Sequence, residues 1–278
     1  MKGLPVKFAI CNELFEGWEF ADVCRKIAQI GYRGLEVAPF TLAPSVAQIS
    51  AERRRELRRA AEDAGIQIIG LHWLLAKVEG FHLNSPDPEV RRRTAEYLRR
   101  QVDLTADLGG ELMVFGSPGA RRVPQGASRQ DAYEWAADTI REVVPSLAER
   151  GVRFCMEPLS PAETDFVQTA DEAAELCDMV ASPQVVVHLD VKAMSSEGKP
   201  IPEIIRAHAR RLGHFHANDP NLRGPGMGTV NFVPIFQALR EVNYQGWVSV
   251  EVFDFEPDPT TIAMQSMEYM VGTSSVGA

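Results

Sequence analysis

The chain has 278 residues, 45% of them hydrophobic, enough to bury one large core or two ordinary ones. Its 38 acidic against 29 basic residues give a formal charge of -9, which disfavours a nucleic-acid or anionic-membrane partner and suits a protein handling small molecules. The four cysteines, Cys11, Cys24, Cys155 and Cys177, show no C-x-x-C spacing, so they read as small core residues rather than as a zinc knuckle or a disulfide framework. Lys7 interrupts the first apolar stretch and no small-residue cleavage site follows it, so no signal peptide is expected. No run approaches transmembrane length, and the expected compartment is the cytoplasm.

Along the chain, short apolar runs alternate with longer segments of helical period. The strand candidates are KFAICNEL (7–14), GLEVAP (34–39), IQIIGLHW (66–73), ELMVFGSP (111–118), VRFCMEPL (152–159), VVVHLDV (185–191), LGHFHAND (212–219) and WVSVEVF (247–253). Between them lie helix candidates such as SAERRRELRRAAEDAG (50–65), DPEVRRRTAEYLRRQVDLTADLG (87–109) and RQDAYEWAADTIREVVPSLAERG (129–151). Gly65, Gly109 and Gly151 stop these helices just before a strand, and TADE (169–172) supplies a capping-box start. The arginine clusters at 52–59 and 91–93 sit in helical stretches with interleaved acids and read as solvated faces. Eight βα units of about 35 residues each fit a (β/α)8 TIM barrel and leave no room for a second domain, so residues 1–278 are expected to form a single barrel. A doubly wound sheet would want a Gly-rich turn after the first strand, and AICNELFEGW offers none. The glycines of GPGMG (224–228) follow the seventh strand instead and read as a tight loop.

In a parallel barrel the strands are buried on both sides and the ligand site lies at their C-terminal ends, so a polar residue closing an apolar strand points into that site. Glu157, Asp190, His216 and Glu251 close or nearly close the fifth to eighth strands, each about one βα unit from the next. Left bare, three carboxylates sharing a low-dielectric rim repel one another. One divalent cation removes that repulsion. Three carboxylates and an imidazole suit Mn²⁺ first, with Mg²⁺ or Co²⁺ as alternatives, and the absence of thiolate argues against structural zinc. His72 ends the third strand and is expected to contact substrate; Glu36, near the end of the second, lies on the same rim. His188 and His214 each precede a ligand by two residues, which places them on the same face one layer deeper, either as partners of the ligands or as core histidines.

The segments MEPLSPAET (156–164), HLDVKAM (188–194), HFHAND (214–219) with GPGMG, and GWVSVEVF (246–253) resemble the xylose-isomerase-like sugar isomerase/epimerase superfamily. They are most similar to the branch holding ketose 3-epimerases, hydroxypyruvate isomerase and the inosose enzymes. The resemblance spans nearly the whole chain and is most specific from residue 150 onward. It implies that Glu157, Asp190, His216 and Glu251 bind one divalent metal, and that Glu157 and Glu251 face a sugar or keto-sugar from opposite sides and exchange its proton. A metal chelating a ketone oxygen and the neighbouring hydroxyl would stabilise the enediolate formed when the α-hydrogen leaves. The resemblance also implies substrate contact by Glu163, six residues after the first metal-binding Glu, and a homo-oligomer, dimer or tetramer.

Two positions depart from the family pattern. Where ketose 3-epimerases show D-x-x-H, DVKAM places Ala193 at the His position, with Lys192 one residue earlier as a cation that either enters the site or faces solvent. Arg223 stands near the place of an arginine expected after the metal-binding His, although Leu222 competes for it in a strict count. These departures leave the metal site intact and open the substrate to a keto-cyclitol or 3-oxo-glycoside. The alternative activity is a lyase or dehydratase working from the same metal and carboxylates. An abasic-site endonuclease would need further metal ligands and a basic groove, which six histidines and the charge of -9 oppose.

Overall fold

In the computed structural model, which describes residues 6–276, eight parallel strands close on themselves in sequence order. The strands are β1 (Lys7–Cys11), β2 (Gly34–Val37), β3 (Gln67–Leu71), β4 (Leu112–Phe115), β5 (Arg153–Met156), β6 (Val185–Asp190), β7 (Leu212–Ala217) and β8 (Trp247–Val250). Around them run α1 (Phe20–Ile30), α2 (Ala51–Asp63), α3 (Pro88–Asp107), α4 (Arg129–Arg150), α5 (Ala170–Val180), the single turn α6 (Val191–Met194), α7 (Ile201–His208), α8 (Val233–Glu241) and α9 (Pro259–Ser274). This is the (β/α)8 barrel that the alternation of apolar runs and helical segments predicts.

The helices start and stop where side-chain chemistry allows. Ser50, Asp87, Ser128 and Thr169 each accept a backbone N–H of the first turn that follows, which satisfies donors that the helix itself cannot. The capping box is complete at Ser128 and Asp131. At Thr169, the Glu172 carboxylate accepts instead from the N–H of Gln168, one residue earlier than the motif predicts. The strongly polar α2 buries only Leu57 and Ala61, one turn apart on the face toward the barrel. Arg53, Arg55, Arg58 and Arg59 are exposed, as the interleaved acids imply, whereas Arg54 is half-buried and pairs with Asp107.

Most of the predicted strands run two or three residues too far at their C-terminal ends. The apolar pattern continues past the sheet because the following loops fold back over the barrel mouth and bury Leu14, Leu74, Leu159 and Val252. These loops carry the polar residues of the mouth. Register shifts fall between Leu35 and Glu36 and between Val187 and His188, each immediately before a buried polar side chain. Such irregularities re-aim the residues that follow them. The second sets His188 beside His214 and Asp190 beside His216 across the β6–β7 pair.

Candidate active site

Glu157 and Glu251 each lie one residue beyond a strand, Asp190 is the last residue of β6, and His216 is the penultimate residue of β7. All four are buried at the C-terminal mouth. Ligand atoms of Glu157, His188, Asp190 and His216 lie within 4.8 Å of one another, compact enough to hold a metal ion. Glu251 joins this set through its Oε2, 3.1 Å from Nδ1 of His216. The four residues singled out from strand ends therefore meet, and His188 meets them as well.

Buried charge dominates the electrostatics. Burial, then the neighbouring Glu251 and Asp190, push the Glu157 carboxyl well above its ordinary range. Burial also raises Asp190, despite Lys192 nearby, and Glu251 adds to the rise. Burial would raise Glu251 too, but His216 and His72 hold it below the usual range. Two carboxylates in one pocket are thus driven in opposite directions, a pattern of groups that exchange protons. Neither ring nitrogen of buried His188 has a hydrogen-bond partner among the described residues, and its Nε2 lies 3.9 Å from Glu157. Mutually repelling carboxylates, a buried imidazole with free nitrogens and oxygen-rich donors fit a divalent cation.

The surrounding residues fix the orientation of these groups. Asn218 donates to Asp190 Oδ2 at 2.5 Å while its own Oδ1 accepts the N–H of Lys192, and the other Asp190 oxygen caps the single turn α6 at Ala193. Glu36 sits under His216 with both oxygens 3.1 Å from Nε2 and receives His214 Nε2 at 2.8 Å. Burial would raise the Glu36 carboxyl, yet His216 and His214 against it hold it well below its ordinary value. With Nε2 engaged by Glu36, His216 turns Nδ1 toward Glu251 and the mouth. Glu36 and His214 therefore support the cluster from below rather than standing on the rim.

A cavity of about 90 Å³ opens above the cluster, lined by Glu157, Glu251, His72, Glu163, Trp73 and Phe253 among others. His72 places Nδ1 3.2 Å from Glu251 and Nε2 2.9 Å from buried Glu13. Glu163 accepts from the Ser160 hydroxyl at 2.7 Å and pairs with Lys192 at 2.6 Å. The Lys192 ammonium also stands 4.4 Å above the Phe253 ring, so it faces the rim of the cavity rather than open solvent. Arg223 is not brought to this cavity. Its guanidinium pairs with Asp254 at 2.8 Å, partly exposed, in the loop system after β7. The GPGMG segment is the tight loop expected: Gly226 has φ +81° and lies so close to Tyr269 that a Cβ there would come within 2.4 Å of the ring.

Sequence reasoning missed Glu13, Trp73, Arg121 and Asn218. Trp73 Nε1 donates to Glu251 Oε1 at 3.1 Å. Arg121, fully buried, spreads its guanidinium over the carbonyls of Phe115, Gly116, Glu157, Phe166 and Val167. Burial brings that guanidinium down to about 10, against the opposing pull of Glu157 and other acidic neighbours. Asn218 stood in the quoted HFHAND segment, two residues past His216 on the same face, and that spacing is the signal that could have found it.

A sequence model of the Xylose isomerase-like TIM barrel family matches residues 24–272, and the chain belongs to that family. D-psicose 3-epimerase of Ruminiclostridium cellulolyticum is 30% identical over 243 residues, which span 85% of this chain and 80% of the relative. L-ribulose 3-epimerase of Methylomonas sp. is 28% identical over 175 residues, 63% of this chain and 61% of the relative. Among solved structures, D-psicose 3-epimerase in the presence of D-fructose superposes with a TM-score of 0.84 at 22% identity, covering 96% of this chain and 98% of its own. The 3-keto-D-glucoside 4-epimerase of E. coli does so at 0.83 and 21%, covering 96% and 100%. At these identities the superpositions speak for the fold.

Proposed function

We propose that the protein is a divalent-metal-dependent epimerase or isomerase of keto-sugars that works through an enediolate. The observation that carries this reading is the meeting of Glu157, Asp190 and His216 at the ends of neighbouring strands, with Glu251 on the same small cavity. The sugar epimerases among its relatives support the reaction class. Glu157, Asp190, His216 and Glu251 would hold the cation, Mn²⁺ first, with Mg²⁺ or Co²⁺ in its place. Glu251 is preferred over His188 as the fourth ligand because Glu251 lines the cavity that substrate enters. A divalent cation supplies electrophilic stabilisation of the negative charge that develops on the substrate oxygens.

The protein's own groups do the rest. One of Glu157 and Glu251 removes the hydrogen beside the carbonyl and the other returns one, the roles reversing with the direction of reaction. Trp73 and His72 hold the Glu251 carboxylate by its Oε1, and Arg121 anchors the backbone at Glu157. Glu163 and Lys192, as a pair at the rim, meet substrate hydroxyls and orient them. Arg223 would reach substrate only by exchanging its Asp254 partner.

Glu157→Gln and Glu251→Gln are expected each to lower turnover by at least about 10²-fold, because a carboxylate that moves a proton typically contributes that much. Proton NMR in D₂O with a panel of ketoses is the measurement. Deuterium entering beside the carbonyl, with a new stereoisomer or aldose, supports the reading. Near-normal exchange in either variant sinks the two-carboxylate mechanism, and an unsaturated product moves the protein to the lyase alternative.

A further inference from the structure

Beside the small cavity lies a larger chamber of about 580 Å³, within the size range of chambers that enclose whole ligands. Its walls include Phe40, Trp73, Val78, Phe81, Phe253 and Phe255. It shares Trp73, Ser117, Pro118 and Phe253 with the cavity over the carboxylates, so the two spaces adjoin. The aromatic walls are ordered: Trp73 meets Phe40 edge-on at 6.3 Å between ring centres and Phe253 at 6.2 Å, and its indole N–H is fixed on Glu251. Three lining residues, Trp73, Lys77 and Ser117, hold left-handed backbone at φ +53°, +57° and +32°. Strain of this kind persists where surrounding structure enforces it and is concentrated at ligand sites.

Most polar side chains of the chamber already have partners, the exception being Glu13, whose Oε1 is buried with none among the described residues. Glu16 and Lys77 pair with each other at 3.0 Å, and Lys77 also covers the Phe40 ring at 3.9 Å. The Ser117 hydroxyl accepts the N–H of Leu75, and Glu13 faces His72. A second sugar ring placed there would set its hydroxyls against aromatic walls with few free partners, whereas a flat apolar group would bury its faces at no such cost.

We infer that the natural substrate is a keto-sugar carrying an aromatic group in glycosidic linkage, with the sugar over the carboxylates and the aromatic group in this chamber. The inference rests on the epimerase reading and names its substrate class. Two measurements on the full-length Mn²⁺-loaded protein test it. The first compares deuterium exchange in D₂O for D-fructose, methyl 3-oxo-β-D-glucoside, a 3-oxo-disaccharide and phenyl 3-oxo-β-D-glucoside. The phenyl compound is expected to exceed the methyl one in kcat/KM by at least about tenfold, the discrimination a well-filled apolar pocket provides. Val78→Trp, which fills the chamber away from the carboxylates, is expected to erase that advantage while leaving the methyl compound within about twofold.

The second is calorimetric binding of phenyl β-D-glucoside, which has no ketone to react. Wild type is expected to bind it and Val78→Trp to lose it. Equal rates for phenyl and methyl compounds, preference for the disaccharide, or no calorimetric binding, as when a second copy of the chain closes the chamber, each overturn the inference. If no compound exchanges deuterium, the epimerase reading fails, and the calorimetric pair still decides whether the chamber takes an aromatic glycoside.

Discussion

Gly116 shows how closely the Glu157 carboxylate is set. A Cβ at this position would lie 2.3 Å from Glu157 Oε2, so the carboxylate occupies the space that only glycine leaves. Gly116→Ala should therefore displace the Glu157 carboxylate by about an ångström, and a misplacement of that size costs on the order of 10²-fold in kcat. The neighbouring Gly119→Ala, where a Cβ meets nothing within 4 Å, is the control. Circular dichroism should be unchanged in both. Equal activity in the two variants would mean that Glu157 is free to move without consequence. The four strand-end residues were legible because burial makes a terminal acid or imidazole conspicuous in an apolar run. Glu13, Trp73 and Arg121 were not, because each sits in a loop or short turn where no period distinguishes a side chain aimed at the mouth from one aimed at solvent. Arg223 illustrates the same limit from the other side, since its loop gives it Asp254 as a partner.

Between β4 and β5 the decisive contact is made by a loop residue. Arg121 ties the carbonyls at the end of β4 and of Glu157 to those of Phe166 and Val167, in the segment that leads into α5. Its partners are carbonyls, with no carboxylate of the described residues hydrogen-bonded to it, so the planar five-donor fork matters more than the charge. Phe115 and Val167 also accept the N–H groups of Glu157 and Leu159, so the carbonyls that depend on Arg121 are those of Gly116, Glu157 and Phe166. Arg121→Lys keeps the charge but loses the planar fork, at about 1–3 kcal/mol for each of these buried groups that the ammonium does not reach. The expected outcome is a fall in thermal midpoint together with a fall in turnover, read by calorimetry and by the D₂O exchange rate. A variant with wild-type stability would show that water replaces the lost donors. The barrel itself was readable because eight strands with both faces buried leave eight apolar runs. Their ends were overextended because the chain after each strand remains apolar while it turns over the mouth, and periodicity cannot separate a strand from a buried loop of the same composition.

For the molecule as a whole, the mouth of the barrel is a store of unfavourable electrostatics held in place by a large apolar core. Glu13, Glu36, Glu157, Asp190 and Glu251 are all buried there, in a chain whose net charge is already -9. Glu36 and Glu251 are balanced by histidines, whereas the Glu157 carboxylate accepts no hydrogen bond from the described side chains and is pushed up by burial and by its acidic neighbours. A cation that binds the folded state at a hundred times its Kd adds about 2.7 kcal/mol. At about 2–4 °C per kcal/mol for a chain of this size, Mn²⁺ should raise the thermal midpoint of the EDTA-treated protein by roughly 5–10 °C. Glu157→Gln removes a buried charge without removing a hydrogen bond, so in EDTA it should melt at or above the wild-type temperature. With Mn²⁺ the order should invert, because the variant has lost a ligand and gains less from the cation. Differential scanning calorimetry of both proteins, with and without Mn²⁺, measures all four midpoints. If wild type and variant shift equally, Glu157 does not hold the ion; if wild type is unmoved by Mn²⁺, Mg²⁺ and Co²⁺ alike, the repulsion among these acids is relieved by protonation, and the proposed chemistry loses its electrophile.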